Sequence, residues 1–68
     1  MKRNNYELKK YGFNYVVTNG VGCPIHGRKE DVLRVMKLHI ELNKDNMEEE
    51  NKKTISAFKY FIKKLEVA

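Results

Sequence analysis

Along this chain the spacing of apolar side chains changes once, near Lys29, and that change limits the fold more than any other feature. Before it, residues 13–25 read FNYVVTNGVGCPI. Phe13, Tyr15, Val16, Val17 and Thr18 favour extended backbone. Asn19-Gly20 is a favoured pair for a two-residue hairpin turn, in which both central positions take positive φ. The pattern predicts that Phe13–Thr18 pairs with Val21–Ile25, setting Thr18 opposite Val21 and Val16 opposite Cys23. Upstream, Tyr6 and Leu8 alternate as in a strand, and Tyr11-Gly12 can turn into the next one. Asn5 and Gly12 could instead bound a short helix. The strand reading extends the hairpin to a three-stranded meander.

After Lys29 the period becomes helical. At 100° per residue Glu30, Arg34, Lys37, Glu41 and Lys44 gather in one narrow stripe, and Val32, Leu33, Val35, Met36, Leu38, Ile40 and Leu42 cover most of the rest. This predicts a first helix over 29–44, buried on most sides between two layers. Asn46 and Glu49 have capping-box spacing. They introduce a second helix over 47–66, with Glu48, Glu49 and Glu50 in its first turn and Lys63 and Lys64 in its last, as the helix dipole favours. Its apolar stripe is Ile55, Phe58, Phe61, Ile62 and Leu65. The expected fold is α+β: an N-terminal antiparallel hairpin or three-stranded meander over 1–28, then two helices (β-β-α-α), in one domain spanning 1–68.

A chain of 68 residues buries only about 60% of its unfolded surface, and such chains often lean on a metal, a disulfide or a partner subunit. Cys23 is the single cysteine, so no disulfide forms within the chain, and the expected location is the cytoplasm. No apolar run reaches the roughly 18 residues of a membrane span, and MKRNNYELKK lacks the apolar core of a signal peptide. The expected partners exclude a membrane. Apolar surface left over on the first helix suits a second copy of the chain, giving a homodimer.

The segment TNGVGCPIHGRK, residues 18–29, concentrates the chemistry. Cys23 and His26 are separated by two residues, His26 and His39 by twelve, and Asn43 follows His39 at helical spacing. A hairpin followed by a helix with Cys-x2-Cys-x12-His-x3-His is the zinc-finger layout. Residues 23–43 resemble it in spacing only, as Cys-x2-His-x12-His-x3-Asn. The resemblance implies Zn held by Cys23, His26 and His39, as in a degenerate zinc-finger-like domain. The alternative is no cofactor, with His39 a core residue bonded to a hairpin carbonyl or to Asn43. In a regular strand Cys23 and His26 point to opposite faces, so a shared metal requires Pro24 and Gly27 to curl the chain.

No enzyme activity is indicated. Gly20, Gly22 and Gly27 match no phosphate-loop or dinucleotide spacing, DNMEEEN lacks the glycine of a calcium loop, and Cys23 has no oxyanion loop beside it. Charge is more informative. The net charge is +5, with both ends basic and residues 30–50 acidic. On the second helix Lys52, Lys59 and Lys63 lie within about 40° of one another, with Tyr60 beside Lys53 and Lys64. Such an arc suits nucleic-acid phosphates, and Tyr60 could stack on a base. The expected function is therefore a small basic nucleic-acid-associated or regulatory protein acting mainly through phosphate contacts. The alternative is a protein–protein module whose lysines form an ordinary solvated face.

Overall fold

The computed structural model describes residues 1–20 and 24–67. Four strands, β1 (Lys2–Arg3), β2 (Tyr6–Tyr11), β3 (Asn14–Thr18) and β4 (Ile25–Arg28), precede two helices, α1 (Lys29–Asn43) and α2 (Glu49–Val67). The sheet is an antiparallel meander in the order β1-β2-β3-β4, and the α+β reading holds. Tyr6–Tyr11 is a strand, and β1 adds a fourth to the three expected. Asn4, at φ 58°, turns β1 into β2; asparagine tolerates this left-handed conformation better than most residues.

Both helices lie on one face of the sheet, α1 over β3 and β4 and α2 over β1 and β2. Leu8 and Val17 are Cα partners and supply the sheet's share of the core. Val32 and Met36 of α1 and Ala57, Phe58, Phe61 and Leu65 of α2 supply the helices' share. Every one of these is buried. The α2 stripe read from sequence is thus the inward face, with Ile55 and Ile62 half-buried at its margin. Tyr6 fixes the sheet to α2 at its polar tip, where its hydroxyl lies 2.9 Å from Thr54 Oγ1. Its ring meets Phe58 edge-on at 5.4 Å. No helix among the described residues is long and apolar enough to cross a membrane.

Three local expectations are corrected. The first is the hairpin register. Val17 faces Ile25, Val16 faces His26 and Tyr15 faces Gly27, three residues further along than an Asn19-Gly20 turn would set. Of that pair only Gly20 takes a positive φ, and its N–H is drawn to Thr18 Oγ1 at 3.1 Å. The partners proposed at Val21 and Cys23 lie outside the described residues. The shift follows from what comes next: α1 starts at Lys29, directly after β4, so the chain must turn over the sheet at once. Gly27, at φ 146°, makes that corner, where an added Cβ would stand 3.2 Å from Asp31 Cβ. Pro24, lacking an N–H, is a poor ladder residue.

The second correction is Phe13. It lies in the turn between β2 and β3 rather than in a strand, because Tyr11 and Asn14 already face each other. Gly12 (φ 61°) is the first of two turn residues and Phe13 has a negative φ, the sign pattern of a type II′ turn. The third correction concerns the helices. The first is not sandwiched between layers: Val35, Leu38 and Leu42 are exposed. The second begins at Glu49 rather than 47, and Asn46 Oδ1 accepts from the Glu48 N–H at 3.0 Å instead of forming the box with Glu49. Asn51 closes this connection, its Nδ2 donating at 2.9 Å to the carbonyls of both Asn43 and Asn46.

Candidate functional site

The lysine face of α2 is a consequence of what the helix buries. With Ala57, Phe58, Phe61 and Leu65 turned inward, the 100° step leaves two rows facing out. One row carries Lys52, Lys59 and Lys63; the other carries Lys53, Tyr60 and Lys64. All five lysines are exposed, and none forms an ion pair among the described residues. From Lys52 to Lys63 the row spans about 16 Å of helix. Acidic side chains are confined to the first turn, Glu49 and Glu50, and to Glu66, which is drawn sideways to Lys37 Nζ at 2.8 Å.

The sheet adds a sixth cation. Asn4 Nδ2 donates to the Lys53 carbonyl at 2.8 Å, holding the β1–β2 turn against α2. The Arg3 guanidinium then lies 5.3 Å from the centre of the Tyr60 ring, and Lys64 Nζ lies 5.5 Å from the same ring. Tyr60 is half-buried and tilted against Phe61 at 5.9 Å. The ring expected to offer itself to a base is thus engaged by two cations, which it gathers by cation–π attraction. Sequence reasoning missed Arg3, because no spacing rule links residue 3 to residue 60. Lys52 and Lys59 also border an open cleft of about 400 Å³ with Lys44, Asn46, Met47 and Ile55.

Of the residues read as metal ligands, the two described ones, His26 and His39, lie on different layers of the fold. His26 faces Val16 across the ladder and is exposed. Alternation puts this pair on the face opposite Val17 and Leu8. His39 is half-buried in the helix layer, edge-on to Phe58 at 5.1 Å. Asn43 does not reach its ring; Asn43 Nδ2 donates to the His39 carbonyl at 2.9 Å. His39 Nε2 is buried without a hydrogen-bond partner among the described residues. Cys23 lies outside the described residues, and among those described no three His, Cys, Asp or Glu side chains cluster to hold an ion.

The face of the sheet turned away from the helices was not singled out from the sequence. Alternation places Tyr11, Asn14 and Arg28 in one cross-strand row, followed by Lys9, Val16 and His26. The last row holds Lys2, Glu7 and Thr18. Tyr11 is 59% exposed and Phe13, at the adjoining turn, 85%. The signal was present in the alternation of residues 7, 9 and 11, but its meaning depended on which face the helices would cover.

No family model, curated protein or solved structure matches this chain.

Proposed function

We propose that this is a small cytoplasmic nucleic-acid-associated protein whose α2 lays its lysine face along phosphates. The observation that carries this reading is the row Lys52, Lys59 and Lys63, joined by Lys53, Lys64 and Arg3 with no carboxylate among them. A cationic face free of internal ion pairs releases counterions when it meets a polyanion. Lysines on a convex helix contact phosphate as point charges and do not read bases, so affinity is expected to be similar for unrelated sequences. The test is titration of duplex and single-stranded oligonucleotides across a salt series. Affinity should fall linearly with salt on logarithmic axes. The triple change Lys52→Gln, Lys59→Gln and Lys63→Gln should make that slope shallower by up to about three. Absence of binding at low salt rejects the reading.

A second reading is favoured by a different observation. Val35, Leu38 and Leu42, at i, i+3 and i+7 on α1, are 42%, 55% and 73% exposed. That stripe suits two-fold pairing with a second copy. Sedimentation of the wild type and of Leu42→Lys decides it: a concentration-independent monomer in both rejects the dimer.

A further inference from the structure

Phe13 is the most exposed large apolar side chain among those described, at 85%, and its position does not require an aromatic. The second central residue of a type II′ turn has no need of one, and Phe13 packs on no part of the core cluster. Tyr11, also exposed, stands two residues earlier, at the end of the sheet face that neither helix covers. The remainder of that face is cationic and polar rather than apolar. Lys9 is one step along β2 from Tyr11 on the same face, Arg28 stands two strands across from it, and Lys2 is at the far edge. Glu7 is the face's sole carboxylate and lies 3.7 Å from Lys9 Nζ. Lys2 and Arg28 form no ion pair among the described residues. Same-face residues along a strand are about 7 Å apart and neighbouring strands about 5 Å, so Tyr11 shares one face with the cations, and Phe13 stands exposed in the turn that closes that end of the sheet.

We infer that this open sheet face is a second binding surface, distinct from the lysine face of α2, and that it takes single-stranded nucleic acid, with bases stacked on Phe13 and Tyr11 and the backbone running past Lys9 and Arg28. Single strands are held by this combination, a positive track with aromatic platforms that accept any base. A duplex hides its base faces, so the aromatic pair has nothing to stack on there. The face bears one aliphatic side chain, Val16, which argues against a protein partner seeking an apolar patch. Asn14 and Lys10 flank the turn, so the two aromatics do not continue into an apolar edge of the kind that sinks into a bilayer.

The experiment is fluorescence anisotropy with labelled oligo-dT, oligo-U and a duplex of matched length. It uses wild type, the double variant Tyr11→Ser/Phe13→Ser, and the α2 triple variant. Both replaced aromatics are exposed, so the double variant should keep its melting temperature, which circular dichroism checks. Losing the stacking platform should weaken oligo-dT or oligo-U binding at least about ten-fold, leaving duplex binding and the salt slope unchanged. The α2 triple variant should lower duplex binding and flatten the slope, yet leave the double variant's defect in place. Single-strand affinity within two-fold of wild type in the double variant overturns the inference while leaving the α2 reading standing. Loss of duplex binding alone in all proteins overturns the α2 reading and leaves this one. Binding to phosphatidylserine vesicles that depends on Phe13, with no single-strand binding, identifies the aromatic turn as a membrane contact and overturns it as well.

Discussion

Replacing His39 by leucine should stabilise this protein. His39 Nε2 is buried and meets no donor or acceptor among the described residues, while Asn43, the nearest amide along the helix, is committed to the His39 carbonyl. A buried polar group without a partner costs about 1–3 kcal/mol. Leucine removes that cost, keeps apolar volume against Phe58, and is a better helix former by a few tenths of a kcal/mol, about 0.3. Against this stands the edge-on contact with Phe58 at 5.1 Å, worth about 0.5–1.5 kcal/mol beyond its buried area. The net expectation is a gain of about 1 kcal/mol, which in a domain of this size raises Tm by about 4–8 °C. Urea and thermal unfolding followed by circular dichroism at 222 nm measure it, with His39→Ala as the contrast, since truncation leaves a gap beside Phe58 and should destabilise. If His39→Leu instead lowers stability by more than about 1 kcal/mol, Nε2 has a favourable partner in solution and the reasoning fails. A chelator run on wild type identifies that partner: a matching fall in Tm would assign it to a metal.

Further outcomes follow from single contacts. Gly27→Ala should destabilise by about 1–3 kcal/mol in urea unfolding, since φ 146° is a glycine conformation and the added Cβ crowds Asp31; a neutral result would mean the β4–α1 corner relaxes freely. Asn51→Leu should cost about 1–2 kcal/mol, because the carbonyls of Asn43 and Asn46 both lose their side-chain donor. The loss should be accompanied by faster amide exchange in residues 43–51. Phe61→Ala, at a side chain 0% exposed, should cost about 3–5 kcal/mol, enough to leave so small a domain largely unfolded at 37 °C, as near-ultraviolet circular dichroism would report. Leu38→Lys should leave a monomeric protein's Tm nearly unchanged, since Leu38 is 55% exposed; a sharp loss would show that a second chain covers it.

Much of this fold is written in local periodicity. The inward stripe of α2 and the glutamates and lysines at its ends are properties of consecutive residues. The helix therefore came within two residues of its expected start and one of its expected end. The same holds for α1, expected over 29–44 and found at Lys29–Asn43, and for the strand character of residues 14–18. The five lysines of the α2 face are equally local, because a helix that buries Phe58, Phe61 and Leu65 has no other direction in which to point them.

What the tertiary structure decided depends on choices between surfaces. Asn19-Gly20 signalled a tight turn, but strand pairing answers to the whole ladder and to the corner at Gly27. The register moved by three residues, an odd number, which turns each side chain of β4 to the opposite face from the one first inferred. That shift sent His26 to the open face while His39 stayed with Phe58. On α1 the apolar residues occupy more of the circumference than one sheet and one neighbouring helix can cover. Period alone identified them as apolar but could not say that Val32 and Met36 would be buried while Val35, Leu38 and Leu42 stayed outside. Arg3 met Tyr60 only because β1 folded back along β2 and Asn4 reached the Lys53 carbonyl. Phe13 lies in a turn and not in β3 because Gly12 took the first place in that turn. Contacts between residues some fifty positions apart, and the choice of which face is covered, arise from packing, and no window of neighbouring residues contains them.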